Sequence, residues 1–156
     1  MGVSVRLQTP ASVQLRKRFL MIHAVKTEID PVPSLLPSLH RIAEIASLKP
    51  NWDGEDADPP TSAAVAAACL LIEAVAEHRE RLGRHLVPPL TSSPIADGGL
   101  QIEWRGPRSR IDVQANPDGS YGYLVKSGQG NSSRYEEADN ISLETILSLI
   151  DRVLGE

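Results

Sequence analysis

Cysteine is almost missing from this chain: of 156 residues, only Cys69 carries a thiol. No intramolecular disulfide can form, which excludes a small disulfide scaffold and makes a reducing, cytoplasmic setting the expectation. Aromatic residues are also sparse, at 4% against 41% hydrophobic residues overall. Long apolar runs are absent too. The longest, Ala63 to Ile72, has ten residues, where a membrane-spanning helix needs about 20. Basic residues are scarce everywhere except at the start. Sixteen Lys and Arg stand against twenty Asp and Glu, yet residues 1–26 hold five basic side chains and no acidic one. The remaining body is therefore strongly acidic, with eleven basic and twenty acidic residues. Such a body repels phosphate backbones, which argues against nucleic-acid binding.

What is present suits an ordinary globular domain. At this length one domain is the default, and about 68–70% of the unfolded surface can be buried without a disulfide or metal. The N-terminus is set apart. Arg16, Lys17 and Arg18 before Phe19–Val25 imitate a secretory signal, but the apolar stretch is short, contains His23 and lacks a small-residue cleavage site. Residues 1–30 are expected to form a basic, loosely ordered arm, with Met21 an alternative start, and residues 31–156 a single α+β domain.

Hydrophobic periodicity then divides the chain. Leu35, Leu39, Ile42 and Ile45 recur at helical spacing, predicting a helix from Ser34 to Leu48 with Ser34 as cap and Pro50 as stop. A second helix, capped by Thr61 or Ser62, is expected to run to Leu82 with Val65, Cys69, Ile72, Val75 or Ala76, and Leu82 on its apolar stripe. Pro88, Pro89 and Pro94 make an extended connector. From Leu100 the period becomes two. Leu100–Arg105, Arg110–Ala115 and Tyr121–Lys126 alternate as strands, joined by Arg105–Arg108 and by the hairpin signal Asn116-Pro117-Asp118-Gly119. A further short strand near Arg134–Glu136 is compatible with the pattern. Ser142 caps a last helix with Leu143, Ile146, Leu147, Ile150 and Val153 inward. The expected fold is α+β: two N-terminal helices, a three-stranded antiparallel meander and a C-terminal helix.

The chemistry is thin. Asp53, Glu55, Asp56 and Asp58 gather in one loop, and oxygen-rich loops suit hard cations. The spacing is not that of an EF-hand, and acidic residues before a helix also complement its dipole. Those four are the metal candidates. Trp52, inside the same loop, either plugs the gap between the first two helices or anchors a partner. Cys69 and His78 lie about 13–14 Å apart along one helix and cannot form a nucleophile–base pair, while His40 and His85 reach Cys69 only through tertiary folding. Gly128-Gln129-Gly130 lacks the glycine pattern of a dinucleotide site. No cofactor and no catalytic set are expected. The polar strand positions Gln101, Glu103, Arg105, Arg110, Asp112 and Gln114 read either as cross-strand pairs or as a recognition face.

Three motifs, Asn51-Trp52-Asp53-Gly54 with Ala57-x-Pro59-Pro60, Asp97-Gly98-Gly99 through Glu103-Trp104, and Asn116-Pro117-Asp118-Gly119-Ser120, resemble in order those of a group of small bacterial proteins with no established activity. The resemblance covers roughly residues 35–126 and implies a bacterial origin. The resulting expectation is a non-enzymatic interaction module, antitoxin- or immunity-like, that meets another, basic, protein through Trp52, Asp53, Glu55, Asp56, Glu103 and Arg105. The alternative is a small enzyme or ligand-binding domain using loop 53–58 with a divalent cation.

Overall fold

The structure is a computed structural model and describes residues 34–155; the expected basic arm over 1–30 lies outside the described residues. The alternation of apolar and polar residues from Leu100 onward places Leu100, Ile102 and Trp104 of one strand opposite Ala115, Val113 and Ile111 of the next. Around this pair an antiparallel sheet is built in simple chain order: β1 (Thr91–Pro94), β2 (Leu100–Arg105), β3 (Ser109–Ala115), β4 (Tyr121–Ser127) and β5 (Arg134–Ile141). The class is α+β, but the expected three-stranded meander is corrected. The sheet has five strands, one added at each edge. Thr91–Pro94, expected as a connector, pairs with β2. The compatible short strand at 134–136 is a full eight-residue strand, irregular in register between Tyr121 and Tyr123.

Helices α1 (Leu36–Ala46) and α2 (Ser62–Arg81) precede the sheet, and α3 (Leu143–Leu154) closes it. Helix α1 is shorter than expected at both ends. Pro37 occupies its first turn and Leu35, not Ser34, is the N-cap, while the Ser34 hydroxyl accepts from the Leu36 amide at 3.2 Å. In α2, Thr61 is the cap, its hydroxyl accepting from Ala64 N at 3.0 Å. Ser142 does the same for Thr145 N in α3.

One core joins the helices to one face of the sheet. It contains Ile42 and Ile45 of α1, Ala64, Ala68, Leu71, Ile72 and Val75 of α2, Ile146, Ile150 and Val153 of α3, and the inner strand positions including Trp104. The stripe of α2 is thus rotated from the expected one: Leu82 is exposed, Val65 and Cys69 are half-buried, and alanines take the inner positions. Small residues there let the helix lie close to the sheet, a packing role that hydrophobicity patterns under-weight. Trp104 is buried as expected, its indole N–H donating to the Val87 carbonyl at 3.2 Å.

Candidate functional site

Loop 51–58 owes its shape to short-range hydrogen bonds. The Asn51 amide donates to the Ala57 carbonyl at 2.8 Å and closes the loop. The Asn51 side-chain oxygen accepts from Asp56 N at 2.9 Å. Asp53 Oδ1 accepts from Glu55 N at 2.8 Å and Ala57 N at 3.2 Å. The Glu55 amide above all holds the Asp53 carboxyl below its ordinary pKa, so Asp53 is a charged strut inside the loop. Three residues adopt left-handed backbone: Asn51 at φ 62°, Gly54 at 82° and Asp56 at 64°. Asn and Asp tolerate this region better than other side chains do.

Trp52 does not plug the helix pair. It is half-buried, lies outside the core, and donates its indole N–H to Asp58 O at 2.9 Å within its own loop. The buried residue of the loop is Ala57. Glu55, Asp56 and Asp58 remain exposed.

The loop is anchored at one end of the sheet. Asp58 N donates to Ala96 O at 2.8 Å, Thr61 N to Gly98 O at 2.9 Å, and Thr61 Oγ1 to Pro117 O at 2.7 Å. These partners flank the Leu100–Ala115 end of the β2–β3 pair. Arg105 lies at the opposite end of β2, about 17 Å away at 3.3–3.4 Å per residue, with Glu103 between. The expected partner-binding set is therefore split: Trp52, Asp53, Glu55 and Asp56 come together, while Glu103 and Arg105 belong to the outer sheet face.

That face carries ordered charge. Glu103 sits directly across from Asp112, and Arg105 across from Arg110. Glu103 and Asp112 are both buried. Arg105 Nη2 donates to Glu103 Oε1 at 2.8 Å, and Arg110 Nη2 lies 3.5 Å from Asp112 Oδ2. Burial raises the Asp112 pKa; Arg110 pulls it back and Glu103 adds repulsion.

One ionic cluster lies outside the expected site residues. Asp151 of α3 receives His78 Nε2 at 2.6 Å, Arg79 Nη1 at 3.1 Å and Arg84 Nη1 at 3.2 Å, tying the end of α2 to α3. The Arg79 side chain is 2% exposed and its Nε donates to His85 O at 2.7 Å. The signal was available: Arg79 falls four residues after Val75 and seven after Ile72, on the inner stripe. His78 is engaged with Asp151 and not with a thiol or hydroxyl. Burial pushes the Cys69 thiol up, which keeps it protonated and unreactive.

Among the described residues, no group of three or more His, Cys, Asp or Glu is arranged to hold a metal ion. No helix among them is long and apolar enough to cross a membrane. Comparison with family models, with curated proteins and with solved structures returns no match.

Proposed function

We propose that the chain is a non-enzymatic interaction module, antitoxin- or immunity-like in manner, which presents loop 51–58 to a basic surface of a partner protein. The observation that supports it is the fixed shape of that loop. Its amides are held by Asn51 and Asp53, leaving Glu55, Asp56 and Asp58 exposed on a closed frame beside Trp52. A surface ordered before binding loses less entropy on association. Backbone held in left-handed geometry at non-glycine residues also concentrates at functional sites. Carboxylates in this arrangement steer a cationic partner and fix its orientation. The alternative, a cation-dependent enzyme or ligand domain, has weaker support, because Asp53 Oδ1 already accepts two amides.

The test is capture from lysate of the source organism by the tagged full chain, read by mass spectrometry. Trp52→Ala and the pair Glu55→Lys/Asp58→Lys are run in parallel, each checked for an unchanged melting temperature. The expected result is one stoichiometric basic protein retained by the parent chain and lost with both variants. Equal capture of that protein by both variants removes the loop from the proposal.

A further inference from the structure

The end of the sheet opposite loop 51–58 collects cations from three strands and a turn. Register aligns Arg105 of β2 with Arg110 of β3, and Arg110 with Lys126 of β4. The β2–β3 turn adds Arg108. Together they line a cavity of about 270 Å³ whose remaining lining, from Gly106 to Gln129, contains no carboxylate. In an acidic body this is a local reversal of charge.

The four cations are not equivalent. Arg105 and Arg110 are partly neutralised by Glu103 and Asp112 along their own strands. Among the described residues Arg108 has no ion pair, and Lys126 only lies over the Tyr135 ring at 5.6 Å. Two positive charges are left over. Arg110 Nε is buried with no hydrogen-bond partner among the described residues, and an unmet buried donor is costly. The frame is held in place: Gly128 N donates to Arg108 O at 3.2 Å, linking the two loops that border the cavity, and Gly106 N donates to Ser109 O at 2.9 Å.

We propose that this cavity is an oxyanion site for a small phosphate monoester. Two surplus charges match the −1.5 to −2 that such a group carries at neutral pH. Guanidinium forks bind its oxygens in pairs, and the lysine supplies a point charge. The site is independent of the proposal for loop 51–58, which faces a different ligand at the other end of the sheet.

The probe is phenyl phosphate, titrated into the full chain at constant ionic strength and followed by amide chemical shifts. Saturable shifts confined to residues 105–110 and 126–129 are expected. Arg108→Ala, an exposed position that leaves the fold intact, weakens binding about tenfold, the equivalent of one charge-assisted hydrogen bond. Lys126→Gln weakens it similarly, and Arg81→Ala, on α2, leaves it unchanged. Lowering the pH from 7.5 to 5.5 weakens it as well, because the monoester takes up a proton near pH 6. Shifts of the same size from acetate, an unchanged affinity in Arg108→Ala, or no saturable shift would each overturn the proposal.

Discussion

Gly106 sits where the β2–β3 turn presses on the end of α3, and the structure sets what a single added methyl group does there. A Cβ at Gly106 would lie 1.7 Å from the Val153 carbonyl oxygen, 2.7 Å from Val153 C and 3.2 Å from Leu154 Cα. All three are backbone atoms of buried residues, so no rotamer change relieves the clash. Either the turn lifts, weakening the Gly106 N–Ser109 O bond, or the last turn of α3 unwinds and withdraws Val153 and Leu154 from the core. Overpacking costs about 1–3 kcal/mol and a weakened backbone bond about 1 more, giving about 2–4 kcal/mol for Gly106→Ala. At about 3 °C per kcal/mol for a domain of this size, the melting temperature should fall by about 6–12 °C. Thermal unfolding followed by circular dichroism measures it. Gly122→Ala is the control: its Cβ would come within 2.5 Å of Asp139 Oδ1, the tip of an exposed side chain that can swing away. It should cost under about 1 kcal/mol, because only the end of a flexible side chain has to move and alanine is favoured over glycine within a strand. A Gly106→Ala chain that melts with the parent, or with Gly122→Ala, refutes the placement of the turn against α3.

Two further outcomes follow from charge. Because the Asp112 pKa is raised, the folded chain holds that proton more tightly than the unfolded one. Stability from this group is therefore present in acid and lost as pH rises through the folded pKa. Asp112→Asn, which also removes a like-charge pair across the strands, should stabilise the protein at pH 7 by about 0.2–1 kcal/mol. The gain should vanish near pH 4, and melting curves that show the same gain at both pH values count against the assignment. Asp151→Asn removes the carboxylate shared by His78, Arg79 and Arg84. Arg79 keeps the His85 carbonyl, so the loss should be about 2–3 kcal/mol, below the 3–5 of a fully orphaned buried ion. Urea denaturation reads this, and a change under about 0.5 kcal/mol would show that the cluster does not hold α2 to α3.

The central strands were readable because each has one buried face, and a buried face imprints a period of two. The edge strands lack that imprint. In β1 only Ser92 is buried, and the strand ends at Pro94, which is tolerated at an edge. In β5 six of the eight positions are exposed, and Glu136, Glu137 and Asp139 are the charges that keep an edge from pairing with another chain. Their pairing is set by backbone hydrogen bonds to a neighbour whose place only the folded sheet defines. Helix α2 differs in its first half: the inward positions there are Ala64, Ala67 and Ala68, so a scale that weights bulk puts the stripe on Val65 and Cys69.

Sites are harder to read because they join residues that periodicity treats separately. The turn character of loop 51–58 was plain from Gly54, Pro59 and Pro60, yet the roles of its carboxylates depend on which amides fold back onto Asp53. Glu103 and Arg105 lie on the sheet face away from Leu100, Ile102 and Trp104, but a residue at one end of a six-residue strand cannot share a surface with a loop held at the other. The cationic cavity is the converse case. Arg105 and Arg110 appear in the sequence as members of two alternating strands, Lys126 as the polar end of a third, and Arg108 as a turn residue. Register brings Arg105, Arg110 and Lys126 into one row beside the turn that carries Arg108, and shifting β4 by a single residue would turn Lys126 to the opposite face. Opposite charge at the two ends of one sheet is therefore a product of strand pairing. No local composition within β2, β3 or β4 encodes the positive end.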